Sequence, residues 1–529
     1  MRFARTARPA SPRAEGQPEL HNVAQAIQSA ILRYGDAIAL DDGESTYTFT
    51  QLGDITDRLV SLYRELGLRR GDRVVMLQRN SINFVLTEIA LYRAGIARVA
   101  VNARLRPQEY AYIIGDSGAK ACIHDPEFQD GIDSMKNEVA CPVWLLSDKV
   151  VEEARELAPA GEDPAAVKSE AIALIQYTSG TTGRPKGAVI TQSSKVEIDR
   201  NTLIELPDLG GDDVMLHVTP LTHASGAFLL PCLLRGVRQI PREFRGAGTF
   251  IDWVQSCGVT VSFLVPTIIK MITEETGGQR PPEFSRLKTV IYAGSPISAQ
   301  NLSSALAVFG NSLLQFYGLS EAQLPIATLR KEDHRPGSDR LGSAGRPVPH
   351  VEVQIRGDDG RPLPPGQIGE ITTRGPHVMA GYWNNSVATA NVIDVDGWLR
   401  TGDLGYLDDA YFLHLVDRKN DMIISGGFNV YPLEVEDALC AHPQVADAAV
   451  FGIPDDRWGE TVAAAVVLRD ESTVAAADLE AHCKNLLAGF KCPRKFDFVA
   501  AVPRNPAGKL LRRELRDPYW RAGERSIQG

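Results

Sequence analysis

The sequence predicts an α/β fold with three parts: a large N-terminal domain of parallel sheets covered by helices, a small β-rich subdomain, and a small α+β C-terminal domain. Two observations support this prediction. Short apolar segments alternate with helical patterns up to residue 316, and after Pro347 short strands follow one another between Gly/Pro turns. A chain of 529 residues is also long enough for more than one domain.

The first part contains the apolar segments expected of buried strands. Helical patterns lie between most of them, for example at 82–94 and 248–256. This alternation is typical of parallel sheets covered by helices. Ligands of such sheets bind at the carboxyl ends of the strands, so we expect the polar residues that follow these strands to line one cleft. The predicted strands are 73–77, 98–101, 120–123, 171–177, 214–218, 260–265, 289–293 and 312–316.

The second part of the chain has a different sequence pattern. Segments 351–356, 369–373 and 411–415 are the predicted strands of the β-rich subdomain. The charge cluster at 417–421, read most simply as a solvated turn, precedes a new α+β pattern. This pattern has helices at 432–441 and 477–487 and strands at 446–452, 461–468 and 496–499. We therefore predict a disordered tail at 1–20, an N-terminal domain at 21–416, a hinge at 417–421 and a C-terminal domain at 422–529.

Composition narrows the class of protein. Hydrophobic residues make up 44% and charged residues 23%, which is ordinary for a soluble enzyme. A net charge of −10 argues against a nucleic-acid-binding protein. The seven cysteines are scattered and form no C-x-x-C pair, which indicates a reducing compartment and predicts a cytoplasmic protein. No apolar run approaches the roughly 20 residues that span a bilayer.

The most informative segment is 175–187, Ile-Gln-Tyr-Thr-Ser-Gly-Thr-Thr-Gly-Arg-Pro-Lys-Gly, which follows a predicted buried strand. We expect the segment after it, 188–191, to be a second strand or the start of a helix. Glycines allow backbone N–H groups to converge on an anion, and hydroxyls and a lysine add donors. A plain linker is the alternative, but linkers seldom lie between buried strands. The segment differs from the Walker A loop, because Pro185 precedes the lysine. The candidate polyphosphate-binding residues are Thr178, Ser179, Gly180, Thr181, Thr182, Gly183 and Lys186.

This segment resembles the phosphate loop of the adenylate-forming (AMP-binding) superfamily, which includes acyl-CoA and aryl-CoA ligases, adenylation domains of peptide synthetases, and luciferases. Further motifs that resemble this family follow in the family's order as far as residue 513. The resemblance implies that ATP and Mg²⁺ activate a carboxylic acid as an acyl-adenylate with release of pyrophosphate. It also implies transfer of the acyl group to CoA and a mobile C-terminal domain.

The resemblance implies roles for residues around the nucleotide. Tyr317-Gly318-Leu319-Ser320-Glu321 resembles a motif whose aromatic ring packs on adenine, whose hydroxyl contacts the α-phosphate and whose glutamate holds Mg²⁺. Ser320 stands where threonine is usual. Asp403 corresponds to a residue that binds both ribose hydroxyls, and Arg418 to one that contacts ribose and phosphate. The loop on the adenine side corresponds to Gly294, Ser295 and Pro296.

The resemblance also identifies residues near the acid and the acceptor. His223 lies where the family places a histidine or an aromatic residue beside the acyl pocket, and Lys509 resembles the catalytic lysine of the C-terminal domain. Gly426 and Gly427 resemble the glycines of the CoA tunnel. Asn420 occupies a hinge position that is usually aspartate or lysine, so the charge that helps to favour one domain arrangement is missing.

The sequence leaves several alternatives open. The acceptor could be a carrier-protein thiol acting in trans or an amine, and the acid could be an unusual one from specialised metabolism. A non-catalytic nucleotide-binding homologue, a luciferase and a homodimer are also left open. We expect a pocket suited to aromatic or medium-length acids, because its predicted lining is small or polar: His223, Phe263, Thr267, Ala293, Gly318 and Gln323.

Overall fold

The structure of this protein is a computed structural model. It describes residues 22–178, 184–295, 297, 299–419, 421–425, 428–455, 458–469, 472–504 and 510–526. Helices and strands are numbered below in chain order.

The chain to residue 347 alternates helices and strands. Its helices are α1 (Val23–Tyr34), α2 (Phe49–Glu65), α3 (Ile82–Ala94), α4 (Pro107–Ser117), α5 (Gln129–Asp133), α6 (Ser147–Arg155), α7 (Gln192–Glu205), α8 (Leu229–Leu234), α9 (Ala247–Ser256), α10 (Pro266–Glu275) and α11 (Ala299–Phe309). Its strands are β1 (Ile38–Asp41), β2 (Thr46–Thr48), β3 (Arg73–Leu77), β4 (Ala97–Ala100), β5 (Ala121–His124), β6 (Val143–Leu146), β7 (Ile172–Thr178), β8 (Lys186–Thr191), β9 (Val214–His217), β10 (Arg238–Pro241), β11 (Val261–Leu264), β12 (Thr289–Tyr292), β13 (Leu313–Leu319), β14 (Ala322–Leu329) and β15 (Arg346–Pro347).

The remainder contains the β-rich subdomain and the C-terminal α+β unit. The first comprises β16 (Glu352–Arg356), β17 (Gly369–Arg374), β18 (Gly381–Tyr382), α12 (Ser386–Val392), β19 (Leu399–Leu407) and β20 (Leu413–Arg418). The second comprises β21 (Ile423–Ser425), β22 (Phe428–Val430), α13 (Pro432–Cys440), β23 (Val445–Asp455), β24 (Gly459–Leu468), α14 (Ala476–Leu486), β25 (Lys495–Phe498) and α15 (Arg512–Ser526).

Within the described residues the strands form four sheets. Two large sheets have the orders β18-β8-β7-β4-β3-β5-β6 and β15-β14-β13-β12-β11-β9-β10-β1-β2. The first is parallel from β7 to β6 and the second from β13 to β1. The sheet β16-β17-β19-β20 is antiparallel, and in the C-terminal sheet β22-β21-β24-β23 the strand β25 pairs parallel with β24. The predicted fold class is therefore confirmed.

Burial on both faces explains why the central strands have apolar sequences. β3 is buried from Val74 to Leu77 and β4 is buried throughout, since helices cover both faces of the sheet. Every residue of helix α3 except Asn83 is buried. It begins at Ser81, whose hydroxyl accepts from the amide of Phe84 (3.1 Å), and ends at Gly95 in the left-handed conformation.

Two local expectations are resolved by the structure. The segment after the phosphate loop, expected to be a strand or the start of a helix, is the strand β8, antiparallel to β7. The solvated-turn interpretation of 417–421 is wrong at its start, because Asp417 and Arg418 end β20 and the Asp417 side chain is only 3% exposed. The amide of Leu433 donates to its carboxylate (2.9 Å), and Arg512 lies 3.8 Å away, so its charge is compensated. In the described part of the chain, no helix is long and apolar enough to cross a membrane.

Candidate active site

The phosphate loop joins two paired strands of the first large sheet. β7 and β8 form a hairpin in which Thr178 lies opposite Lys186. Gly187 fits this hairpin because a Cβ there would lie 2.5 Å from Ile175 Cγ2, too close for any other residue. The predicted residues Ser179, Gly180, Thr181, Thr182 and Gly183 lie outside the described residues.

A segment of the β-rich subdomain connects this hairpin to Glu321. The amide of Met379 donates to the Glu321 carbonyl (2.9 Å), and two residues later β18 begins to pair with β8. The amide of Trp383 then donates to the carbonyl of Gly187 (2.7 Å). These backbone bonds place Tyr382, between Met379 and Trp383, beside both Lys186 and Glu321.

Tyr382 connects Lys186 with Glu321, and these three residues are the first group of candidate site residues. Its hydroxyl donates to Glu321 Oε1 (2.9 Å), and Lys186 Nζ lies 5.0 Å from the centre of its ring. Burial, together with the charge of Glu321, raises the pKa of Tyr382, so the hydroxyl remains a neutral donor. The sequence analysis missed Tyr382, whose one local signal is the aromatic pair that follows Gly381.

Tyr317, Asp403 and Arg418 form a second group. The Tyr317 hydroxyl donates to Asp403 Oδ2 (2.6 Å), and Arg418 Nε lies 2.7 Å from Asp403 Oδ1. Asp403 and Arg418 are direct neighbours across β19 and β20, which explains their contact. Burial and the negative charge of Asp403 raise the pKa of Tyr317, which therefore stays protonated.

The two groups adjoin one another. Burial opposes the charge of Arg418, but the negative charges of Asp403, Glu321 and Asp421 outweigh it, so the pKa of Arg418 is raised. Glu321 is therefore close enough to act on the second group as well as on Tyr382. Ser320 and Glu321 are the turn of the hairpin between β13 and β14, in which Leu319 lies opposite Ala322.

The Glu321 carboxylate fits a magnesium ion that takes most of its ligands from a bound substrate and from water. Among the described residues there is no cluster of three or more histidine, cysteine, aspartate or glutamate side chains that could hold a metal. Mg²⁺ commonly uses one or two carboxylates and takes its remaining ligands from phosphates and water. The Glu321 carboxylate, whose Oε1 accepts one bond from Tyr382, meets this need.

The loop at 219–223, called here the His223 loop, follows a strand of one large sheet and is fixed by residues of the other. Asn80 Nδ2 donates to the carbonyl of Thr219 (2.9 Å), and the amide of Leu221 donates to Asn80 Oδ1 (2.8 Å). The buried Arg98 of β4 donates from Nη2 to the carbonyl of Leu221 (3.1 Å). The loop is therefore fixed at the junction of the two sheets.

His223 itself is hydrogen-bonded at both ring nitrogens. Asn102 Oδ1 accepts from the amide of Arg104 (3.0 Å), which leaves Asn102 Nδ2 to donate to His223 Nε2 (3.0 Å). The ring proton is therefore on Nδ1, which donates to the carbonyl of Thr222 (3.0 Å). Burial lowers the pKa of His223, so the ring is neutral. Gln176 Nε2 donates to the same carbonyl (3.1 Å), which links the loop to β7, two residues before Thr178.

Three aromatic rings pack together on the second large sheet, and the first of them follows the His223 loop closely in the chain. Phe228 ends the short 3₁₀ helix that follows His223, and it contacts Phe263 of β11 and Phe316 of β13 with ring centres 5.3 and 5.7 Å apart. All three side chains are almost completely buried. They are called here the phenylalanine cluster.

The remaining predicted site residues are only partly described. Gly294 and Ser295 lie two and three residues after the end of β12, and Gly294 has a φ of +94°, a conformation that favours glycine. The other predicted residues lie outside the described residues: Pro296, Asn420, Gly426, Gly427 and Lys509.

Comparisons with known proteins agree with this arrangement. The model of the AMP-binding enzyme family matches residues 27–383, and that of the AMP-binding enzyme C-terminal domain matches residues 434–509. The chain belongs to the AMP-binding enzyme family. The predicted membership of the adenylate-forming enzymes, and the predicted ligase class, are therefore confirmed.

Two curated relatives of this AMP-binding enzyme cover nearly the whole chain. A feruloyl-CoA synthase of an Amycolatopsis species is 37% identical over 91% of this chain and 95% of its own length. The fatty acid–[acyl-carrier-protein] ligase ScoC of Streptomyces coeruleorubidus is 34% identical over 91% and 93%.

A solved structure matches the whole arrangement. The crystal structure of ATP-bound MatB from Rhodopseudomonas palustris has a TM-score of 0.86, with 28% identity over 94% of this chain and 99% of that chain. The crystal structure of apo MatB from the same organism has a TM-score of 0.76 at the same identity and coverage.

Proposed function

We propose that this enzyme uses ATP to activate an aryl or medium-length carboxylic acid as an acyl-adenylate and then transfers the acyl group to CoA. The observation that carries the proposal is that one hairpin, β13–β14, connects two groups of side chains, Lys186–Tyr382–Glu321 and Tyr317–Asp403–Arg418, because Tyr317 and Glu321 both lie on it. Together they offer a cation, a carboxylate for Mg²⁺, an aromatic ring and a carboxylate–guanidinium pair within one cleft.

The second group suits the nucleoside of ATP. Each oxygen of Asp403 accepts one bond from the protein, and a carboxylate has about four acceptor sites, so two remain for a ribose diol. The Tyr317 ring, fixed through its hydroxyl, offers a face to adenine. Gly294, Ser295 and Pro296 form the other wall in this proposal.

The first group suits the phosphates. Thr178 to Gly183 and Lys186 would hold the departing pyrophosphate, Ser320 the α-phosphate, and Glu321 a magnesium ion. That ion, when bound, supplies positive charge to the phosphates. In our proposal Lys509 bridges the acid carboxylate and the α-phosphate, where two anions must approach. Reactions of this type depend mainly on positioning and electrostatic stabilisation.

The residues around His223 support the proposed class of acid. His223 is neutral and both of its ring nitrogens are used, so we assign it to positioning the acid rather than to proton transfer. The neighbouring phenylalanine cluster, Phe228–Phe263–Phe316, would close the inner end of the acid pocket in this proposal. A flat aromatic acid or a medium chain would then fit better than a long chain.

The acceptor step has an alternative. Gly426 and Gly427 support CoA by resemblance, whereas the uncharged Asn420 and the similarity to a carrier-protein ligase support a carrier-protein thiol. An amine acceptor is the third possibility we retain for testing.

A panel of aromatic, medium-chain and long-chain acids tests the proposal through pyrophosphate release with MgATP. We expect acid-dependent release that is fastest with aromatic or medium-length acids, and faster AMP release with formation of a thioester when CoA is added. Loss of release when EDTA is added would support the metal. Absence of acid-dependent pyrophosphate release would contradict the adenylation proposal. AMP release that responds to a carrier protein or an amine but not to CoA would contradict the acceptor.

A further inference from the structure

One lysine of the N-terminal domain contacts the C-terminal domain far from the connecting residues. Lys270 lies on α10, the helix that follows β11, and its Nζ donates to the backbone carbonyl of Ala446 (3.0 Å). The Lys270 side chain is 31% exposed, so this contact is partly shielded from water. The carboxylate of Glu274, on the same helix, lies 3.9 Å from Lys270 Nζ, and its side chain is 60% exposed, so this ion pair is weak.

The carbonyl that Lys270 contacts belongs to a β-bulge. In the pairing of β23 with β24, Val445 lies opposite Leu468 and Asp447 lies opposite Val467, so Ala446 is the extra residue. The extra residue of a bulge is left out of the regular ladder of backbone hydrogen bonds. Its carbonyl is therefore available to a hydrogen-bond donor from another domain. The ammonium group of Lys270 is such a donor and carries a charge.

The next residue continues the connection inside the C-terminal domain. Asp447 Oδ2 lies 2.9 Å from Arg504 Nη2. Arg504 in turn pairs with Leu510 in an antiparallel bridge, and the amide of Leu511 donates to the carbonyl of Pro503 (2.9 Å). Lys270 is thus linked, through the bulge and Asp447, to the base of the hairpin in which Arg504 and Leu510 pair.

The structure as a whole has a higher TM-score against ATP-bound MatB (0.86) than against apo MatB (0.76) over the same share of the chain. We propose that Lys270 is a positioning residue for adenylation: by binding the bulge carbonyl of Ala446, it favours the domain arrangement in which the acyl-adenylate forms. This inference rests on the proposed adenylation function. Lys270 is not a catalytic residue, since it acts through the placement of the C-terminal domain.

The test compares the two half-reactions in full-length variants. Lys270→Met removes the donor and keeps a similar side-chain volume, and we expect adenylation, measured as single-turnover pyrophosphate release, to slow about 10-fold. A 10-fold effect is the lower end of the range for losing one hydrogen bond that involves a charged group. The lower end applies because the contact is partly exposed to water. The KM for ATP and the transfer of the acyl group from synthetic acyl-adenylate to CoA should both stay within about 2-fold.

Two further variants serve as controls. Lys270→Arg keeps a charged donor and should restore most of the adenylation rate. Glu274→Gln removes the weak neighbour on the same helix and should leave the rate unchanged, because the contact that matters is the one to Ala446. The proposal is overturned if Lys270→Met adenylates at the wild-type rate, if both half-reactions slow equally, or if Glu274→Gln has the same effect.

A second measurement does not depend on turnover. Small-angle scattering with α,β-methylene ATP, which cannot release pyrophosphate, should fit the domain arrangement of this structure in the wild type and show a smaller fraction of it in Lys270→Met. Identical scattering of the two proteins would overturn the proposal. If the wild type shows no acid-dependent pyrophosphate release, the proposed function fails, and the scattering result still decides whether Lys270 favours this domain arrangement.

Discussion

Replacing Tyr382 by phenylalanine removes one hydroxyl and leaves the ring beside Lys186 in place. The lost hydrogen bond is to the carboxylate of Glu321 (2.9 Å), and bonds to charged groups contribute about 1.5–3 kcal/mol. Because Tyr382 is only half-buried, the lower end applies, and about 1.4 kcal/mol corresponds to a factor of 10. We expect kcat/KM for MgATP in adenylation to fall about 10-fold.

Tyr382→Leu separates the ring from the hydroxyl. It also removes the aromatic face 5.0 Å from Lys186 Nζ, a contact of about 0.5–1 kcal/mol, so we expect a further loss of about 2- to 5-fold. The matched control is Tyr519→Phe, which removes a hydroxyl that donates to Asp497 in the C-terminal domain and should leave the rate unchanged.

The assay is the initial rate of pyrophosphate release at several MgATP concentrations with a saturating acid. A phenylalanine variant as active as the wild type would refute the idea that the hydroxyl orients Glu321. A leucine variant equal to the phenylalanine variant would refute a contribution from the ring. A loss in Tyr519→Phe of the same size would show that the assay reports general damage.

Three other changes have equally defined outcomes. Asp403→Asn leaves Arg418 without its anionic partner and weakens the ribose site, so we expect ATP to bind at least about 10-fold more weakly by calorimetry; an unchanged Kd would contradict this. Asp199 and Lys195 form a buried ion pair on α7, so Asp199→Asn leaves the Lys195 charge without its partner and should lower the free energy of unfolding by about 3 kcal/mol. In urea denaturation, Asp199→Leu combined with Lys195→Met should recover most of this loss, because both charges are removed. Equal losses in the single and the double variant would contradict the importance of the ion pair. Burial lowers the pKa of His377 from 6.5 to about 4, so the unfolded chain binds a proton that the folded protein excludes, and stability is lost as the pH falls from 6.5 toward 4. Between pH 7 and 5 the wild type should lose about 2 kcal/mol more than His377→Gln, and parallel pH profiles would contradict this.

Much of the fold is predictable because burial on two faces constrains composition. The strand at 73–77 and the helix at 82–94 end where the sequence predicts, since a covered parallel strand must be apolar and Ser81 and Gly95 are strong helix ends. Local composition misleads at Asp417, whose charged neighbours suggest solvent, although Arg512, distant in sequence, compensates its charge.

The site is predictable as a set of motifs but not as a set of contacts. Asp403 and Arg418 can be identified by resemblance, while their direct opposition follows from the register of β19 and β20, which no local pattern specifies. The role of Tyr382 depends on backbone bonds that link the Glu321 turn and β8 to one short segment. Such a position is defined by three distant stretches of chain, and its sequence signal is correspondingly weak.

The attachment of the His223 loop to both large sheets has a consequence for redesign of substrate preference. Substitutions at 219–223 would disturb carbonyls that Asn80, Arg98 and Gln176 bind, so they would change foldability together with selectivity. Two members of the phenylalanine cluster, Phe263 and Phe316, lie on regular strands, where a smaller side chain would open space and leave the backbone in place. Directed evolution of this enzyme toward longer acids should therefore accumulate changes at Phe263 and Phe316 before it changes the loop.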